Sequence, residues 1–333
     1  MQAPRFWLRP PERPGLAAWV LTPLSWIYRW LTARRIARAE PLDLGIPVIC
    51  VGNLTAGGTG KTPTVIALVE RLVARSVAVH VVSRGHGGSL TGPVRVDEMR
   101  HTAAEVGDEP LLISPFAPVW IARDRAAAGR AARDAGAQVI VMDDGHQNPS
   151  LSKDLSIVVV DAATGFGNGR VIPAGPLREP VDVGLARADL VLAIGDAASR
   201  AGFAHAWGSR VTVPVLGGEL RPLQTGMDWE GQRVLAFAGI GRPEKFFATL
   251  DGLGAHIVSR HGFADHAPYD GRILARLERE AQQLGAQLVT TEKDAARLPK
   301  EFRPKVLALP VRLGFVDEGV LEAALGRILG DVG

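Results

Sequence analysis

Cysteine is almost absent from this 333-residue chain: the single one, Cys50, lies in the apolar run Ile46-Pro47-Val48-Ile49-Cys50-Val51. One thiol builds no disulfide framework, so stability must come from a packed core, and a reducing compartment is expected. No apolar run reaches the roughly 20 residues a spanning helix needs; the longest candidate, Leu16 to Tyr28, falls short. A cleaved signal peptide is not read either, because Pro10, Pro11 and Pro14 come first and Pro23 interrupts the apolar part. Strong charge of one sign is missing too. The formal net charge is +3, with basic residues dispersed beyond the N-terminus, which argues against a nucleic-acid partner. Tyrosine occurs twice, and there is no internal repeat or low-complexity tract.

What is present is unevenly distributed. Four of the seven tryptophans, Trp7, Trp19, Trp26 and Trp30, fall within the first thirty residues. Leu16, Trp19, Val20, Trp26, Ile27, Trp30 and Leu31 recur at three- and four-residue spacing and are followed by Arg34, Arg35 and Arg38. That pattern predicts an interfacial helix, with indoles in a headgroup layer and arginines near anionic lipid. From residue 46 onward, short β-branched runs alternate with helical stretches. Strands are expected at Val48–Val51, Val77–Val82, Pro118–Ile121, Val139–Met142, Ile157–Asp161 and Leu190–Ile194. Their consecutive apolar positions suit a parallel sheet covered on both faces. Helices are expected at Thr62 to Arg75 and Asp124 to Ala135. A second, smaller set has strands at Arg233–Ala238, His256–Ser259, Gln287–Thr290 and Val306–Leu309. Between the sets, Val211 to Gly226 reads as two short strands about Gly217-Gly218. The predicted organisation is an N-terminal region over residues 1–40, a nucleotide-binding domain over 41–210, a two-stranded linker over 211–228 and a smaller α/β domain over 229–333.

The sharpest motif is Thr55-Ala56-Gly57-Gly58-Thr59-Gly60-Lys61-Thr62-Pro63, directly after one expected strand and directly before a helix. Glycines there let backbone N–H groups converge on phosphate oxygens; Lys61 reaches the β- and γ-phosphates, and the Thr62 hydroxyl ligates Mg²⁺. The generic pattern has glycine where this chain has Thr55. A buried strand, Val139 to Met142, then runs into Asp143 and Asp144, the place where a phosphate-loop protein holds the Mg²⁺ acid. Glu109 is a further candidate ligand reaching through water. Arg84, Arg123 and Arg178 are candidate clamps for phosphate, since a guanidinium fork suits its oxygens, and Lys293 is a fourth. The expected cofactors are therefore ATP and Mg²⁺. Ala56 stands where the ATPases that dimerise across their nucleotides carry a signature lysine. Thr291-Glu292-Lys293-Asp294 does not match the guanine-reading motif. A small-molecule kinase or a ligase remains.

The ordered set of motifs resembles one family, tetraacyldisaccharide 4′-kinase, nearly from end to end. The matching segments are the phosphate loop with Pro63, Ser83 to Gly88, Val106-Gly107-Asp108-Glu109-Pro110, Asp143-Asp144-Gly145-His146-Gln147, Gly165 to Gly169, Pro173 to Pro180, Phe263-Ala264-Asp265-His266 and Thr290 to Asp294. Departures from the family pattern, at His86, His146, Asn148 and Ala267, leave the phosphate loop untouched. The resemblance implies an α/β fold of the P-loop NTPase type: a doubly wound parallel sheet, a smaller α/β domain on a short β linker, and the N-terminal interfacial helix. It implies transfer of the ATP γ-phosphate to the 4′-hydroxyl of tetraacyldisaccharide 1-phosphate, making lipid IVA for lipid A and lipopolysaccharide. The setting would be the cytoplasmic face of the bacterial inner membrane, with the enzyme peripheral or monotopic and monomeric. By the same resemblance Asp108 is the base, assisted by His266, with Lys61 on the phosphates. The alternative is another phosphate-loop kinase or ligase acting on a soluble small molecule, which would leave the N-terminal tryptophans without a task.

Overall fold

The structure is a computed structural model, and it describes residues 4–265 and 267–330. Its strands are β1 (Val48–Gly52), β2 (Val79–Ser83), β3 (Val94–Arg95), β4 (Val119–Ile121), β5 (Val139–Asp143), β6 (Leu155–Asp161), β7 (Leu190–Ile194), β8 (Val215–Pro222), β9 (Arg233–Ala238), β10 (His256–Gly262), β11 (Gln287–Thr291), β12 (Val306–Leu309) and β13 (Val311–Phe315). Its helices are α1 (Leu16–Ala37), α2 (Lys61–Val73), α3 (Ala103–Val106), α4 (Asp108–Ile113), α5 (Arg125–Asp134), α6 (Val181–Leu185), α7 (Ala197–Trp207), α8 (Pro243–Gly252), α9 (Gly271–Leu284), α10 (Glu292–Arg297) and α11 (Gly319–Leu329).

The larger sheet runs β13-β8-β7-β6-β1-β5-β2-β4-β3, parallel from β8 to β4 with an antiparallel strand at each edge. Strands β1, β2, β5, β6 and β7 are buried along their whole length, as their unbroken apolar runs require when both faces are covered. From β1 the chain winds first towards β2 and later back to β6 on the other side. Connections therefore diverge above β1, and the crevice at the strand C-terminal ends is the natural ligand site of such a sheet. The smaller sheet, β10-β9-β11-β12, is parallel throughout. Its helix α9 starts at Asp270, whose carboxylate accepts from Ile273 N, and ends at Gly285 in a left-handed conformation, the capping pattern its sequence carries.

Two expectations need correction. Residues 211–228 do not form two short linker strands: β8 is one continuous strand, and it pairs parallel with β7 and antiparallel with β13 inside the larger sheet. Residues 229–333 are not all in the smaller unit either. Strand β13 and helix α11 return to the larger one, where Leu313, Leu321, Ala324 and Leu325 join the core built on β1 and α2. Arg71 of α2 and Arg75 just beyond its end hold Glu318 and Glu322 of that C-terminal segment. Pairing partners this far apart in sequence leave no local trace, which is why pattern alone misassigned them.

Helix α1 docks by its small and polar residues. Ala18, Ser25 and Thr32 are its buried positions, one every seven residues and so on one stripe. Ser25 Oγ donates to Val171 O at 2.7 Å and accepts from Ala174 N at 3.2 Å. The bulky apolar residues turn outward: Trp19, Trp26 and Trp30 are 60%, 66% and 56% exposed. No helix among the described residues is long and apolar enough to cross a membrane.

Candidate active site

The loop between β1 and α2 sits at the switch of strand order. Gly57 and Gly60 hold φ of +115° and +95°, values an L side chain rarely adopts. A Cβ at Gly60 would in addition lie 2.6 Å from Ile194 Cδ1. Asn53, fully buried, braces the loop from inside by donating to Gly57 O (3.3 Å) and Thr59 Oγ1 (3.2 Å). From outside, the segment 176–178 zips onto it: Ala56 N donates to Pro176 O and Arg178 N to Leu54 O, both at 2.7 Å. The loop is thus a preformed cradle whose glycine backbone at 57 and 58 faces solvent at the head of α2.

At the adjacent end of β5 the two acids divide. Asp143 is 1% exposed; its Oδ2 accepts from Ser83 Oγ at 3.0 Å, while its Oδ1 is buried with no hydrogen-bond partner. Burial, and after it the charges of Glu109 and Asp144, push the Asp143 carboxyl up to about 7. Such an oxygen fits a divalent cation, whose charge removes both penalties at once. Asp144 is already engaged, 3.5 Å from Lys61 Nζ and 3.2 Å from Arg178 Nη1. Lys61 and Arg178 together hold it below the usual carboxylate range despite burial. It adopts φ of +47°, a conformation non-glycine residues seldom take, so backbone strain is spent to aim this side chain at Lys61. No group of three or more His, Cys, Asp or Glu among the described residues is arranged to hold a metal by itself. Thr62 and Asp143 would therefore share Mg²⁺ with phosphate and water, the usual arrangement for this ion.

A third cluster faces this one. Asp108, at the start of α4, is 4% exposed and accepts from Glu109 N at 3.0 Å. Lys293 of α10 lies 3.9 Å from Asp108, 3.5 Å from Glu109 and 3.8 Å from Asp265, and Arg297 approaches Asp108 at 3.9 Å. The rest of the Thr290–Asp294 motif is scaffold. Buried Asp294 accepts from Tyr269 Oη (2.7 Å), Gly239 N (3.0 Å) and Thr291 Oγ1 (2.6 Å) and contacts Arg297, which locks α10 so that Lys293 points at the acids.

The family model for tetraacyldisaccharide-1-P 4′-kinase matches residues 17–330. The chain belongs to that family. It is 62% identical over 329 residues to a tetraacyldisaccharide 4′-kinase of Dinoroseobacter shibae, covering 98% of both chains. It is 54% identical to one of a Jannaschia species, over 99% of this chain and 100% of the other. Among solved structures it resembles LpxK of Aquifex aeolicus crystallised in complex with ATP, with a TM-score of 0.73 and 25% identity, covering 94% of this chain and 100% of that one.

Of the residues expected from the sequence, the structure brings Lys61, Asp143, Asp144 and Arg178 into one cluster, with Thr62 next to Lys61 at the start of α2, and Asp108, Glu109 and Lys293 into another. Arg84 and Arg123 follow the C-terminal ends of β2 and β4; both are exposed and form no ion pair among the described residues. His266, the expected assistant to Asp108, lies outside the described residues. Several groups escaped the sequence reading. Arg125 is 3% exposed and donates to Asp143 O at 3.1 Å; burial lowers its pKa. Gln147 bridges Asn53 O (2.9 Å) and buried Glu179 (3.0 Å), which Arg187 grips at 2.7 and 2.8 Å. Asp161 at the end of β6 meets Arg242 and Lys245 from the other unit. Gln147 and Glu179 lie in motifs that carried the resemblance; nothing in the sequence singles out Arg125, Asp161 or Lys245.

Proposed function

We propose that this member of the family transfers the γ-phosphate of ATP to the 4′-hydroxyl of tetraacyldisaccharide 1-phosphate, in the assembly of lipid A. The observation that carries the reading is the convergence, at the C-terminal ends of the central strands, of the braced loop 55–62, the strand-end acid Asp143 with its unpartnered oxygen, and the Asp108–Lys293 cluster. The loop N–H groups and Lys61 bind the β- and γ-phosphates; Asp144 and Arg178 hold the Lys61 ammonium in place. Magnesium bound by Thr62 and Asp143 would supply charge neutralisation on the phosphates. Asp108 accepts the proton of the attacking hydroxyl, which leaves late in a loose transition state, so a carboxylate suffices. Lys293 orients Asp108 from the smaller unit, and His266 is assigned the relay of the proton onward. Because Lys293 and Asp108 come from different units, catalysis goes with closure of the cleft over the nucleotide.

The acceptor is amphiphilic, and α1 suits it. Residues 1–40 are assigned to the membrane surface, with the exposed tryptophans in the headgroup layer and Arg29, Arg34, Arg35 and Arg38 near lipid phosphates. A cavity of about 460 Å³ between α1 and the core is lined by Trp26, Arg29, Arg170, Val181 and Arg210, a mixture of charge and apolar surface that fits a phosphorylated lipid. On this reading the enzyme is peripheral, at the cytoplasmic face of the inner membrane, where ATP is available. Incubation with γ-labelled ATP and tetraacyldisaccharide 1-phosphate in detergent micelles tests the reaction: label on the sugar is expected, and ATP turnover indifferent to the glycolipid would refute it.

A further inference from the structure

The turn Gly239-Ile240-Gly241-Arg242 between β9 and α8 crosses the cleft to the phosphate loop. A Cβ at Gly241 would stand 3.8 Å from Gly58 N. Immediately after it, Arg242 and Lys245 both reach Asp161: Lys245 Nζ is 2.8 Å from Asp161 Oδ2, and the Arg242 guanidinium is in direct contact with the same oxygen. Asp161 is buried and its Oδ1 accepts from Ala163 N at 3.1 Å. Its place in the sheet fixes what lies beside it. Strand β6 runs next to β1, with Val158 opposite Gly52, and next to β7, with Asp161 opposite Ile194. Ile194 is the residue whose side chain packs under Gly60. Asp161 and its two cations therefore line the wall of the phosphate loop, on the side away from Asp143.

Two cations make direct contact with one carboxylate, Asp161, with Glu244 acting on Arg242 and Asp196 on Lys245 only through their charge. Lys245 is still pulled down to about 8, by burial first and then by the charge of Arg242, with Asp196 offsetting only part. A half-buried ammonium beside a guanidinium is stabilised by a further anion, and the loop next to it is built for a triphosphate. A guanidinium fork and an ammonium arriving from the opposite unit are also the groups that grip terminal phosphate oxygens best.

We propose that Arg242 and Lys245 form a second phosphate clamp, shared between Asp161 and the β- and γ-phosphate oxygens of ATP, so that the smaller unit senses the nucleotide through its charge and is drawn onto it. The inference rests on the kinase reading above. It is tested by titrating the full-length wild type and the variants Arg242→Ala, Lys245→Ala, Lys245→Arg and Asp161→Asn with MgATP and, separately, with AMP, alongside steady-state KM values for ATP and for the glycolipid. Arg242→Ala and Lys245→Ala are expected each to weaken ATP about tenfold, or ~1.4 kcal/mol, with AMP affinity and the KM of the glycolipid unchanged. Lys245→Arg should keep most of the ATP affinity. Because Asp161 competes with ATP for the same cations, Asp161→Asn should bind ATP at least as tightly as wild type. Equal losses for ATP and AMP, no loss at all, or an Asp161→Asn variant weakened like the cation variants would overturn the clamp, the last showing a plain ion-pair clasp. Wild-type transfer of label to the glycolipid in the same assay keeps the kinase reading separate from this outcome.

Discussion

Around the phosphate loop the charged groups are buried and paired, whereas along α1 the apolar groups are exposed and the buried ones are small or polar. Asp143, Asp108, Glu179 and Arg125 are all under 5% exposed, and almost every one meets an opposite charge or a donor. On α1, Trp19, Trp26, Trp30, Leu16 and Val20 are more than half exposed while Ser25 and Thr32 are buried. Each arrangement is costly in plain water. Desolvated carboxylates need cations, and a contiguous indole-rich face needs a less aqueous neighbour. On the proposed reading the two regions are finished by different binding partners, a metal-nucleotide at one and a lipid surface at the other. They can be broken independently.

The largest effects should fall on the charged side. Lys61→Ala and Asp108→Ala are each expected to cut turnover about 10²-fold or more, roughly 2.7 kcal/mol of transition-state stabilisation. Vesicle binding should stay at the wild-type level; an active Asp108→Ala enzyme would remove that residue from the chemistry. Next comes a stability effect of the same region. Burial lowers the His146 pKa to about 4 from an ordinary 6.5, its Nε2 lying 2.9 Å from Gly184 O. As pH falls below 6.5 the unfolded chain takes up the proton before the folded one does. Stability should therefore be flat above pH 6.5 and decline by roughly 3 kcal/mol down to about pH 4. Melting curves of His146→Asn should lose most of that slope, and an unchanged slope would exonerate the residue.

On the apolar side, replacing Trp19, Trp26 and Trp30 together by serine should reduce sedimentation with anionic vesicles about tenfold. The melting temperature should hold, because those rings contribute little to the core; retained vesicle binding would refute the membrane role of α1. The smallest change is Ser25→Ala, which removes the hydroxyl joining α1 to Val171 and Ala174 and should cost about 1 kcal/mol in a denaturant titration. No loss there would mean that the other ties of α1, such as Arg170 donating to Thr22 Oγ1 at 2.9 Å, hold it without this hydroxyl.

The parts legible in the sequence were local ones. The strand, glycine loop and helix from Val48 to Val73 follow from neighbouring residues, because phosphate binding needs a backbone shape that contiguous glycines and one lysine encode. Asp143 was legible for the same reason, as the end of a buried strand. The Thr290–Asp294 motif could be seen but not interpreted: only the fold shows that Asp294 is scaffold and Lys293 faces Asp108. Strands β8 and β13 were misplaced because a strand's partner is not written in its own residues. The same holds for Arg125 beneath Asp143 and for Arg242 and Lys245 on Asp161, pairs that folding alone brings together.

By itself the sequence determined the expected reacting parts: a phosphate cradle, a metal-seeking acid at a strand end, an N-terminal helix whose apolar stretch is too short to span a bilayer, and the family these belong to. Tertiary structure decided which acid stays open and which is committed to Lys61 and Arg178, which face of α1 is buried, and which cations of the smaller unit reach the nucleotide's loop. The reason is range. Backbone conformation and hydrophobic periodicity act over a few residues, while electrostatic pairing and burial depend on groups that only the folded chain brings within a few ångströms.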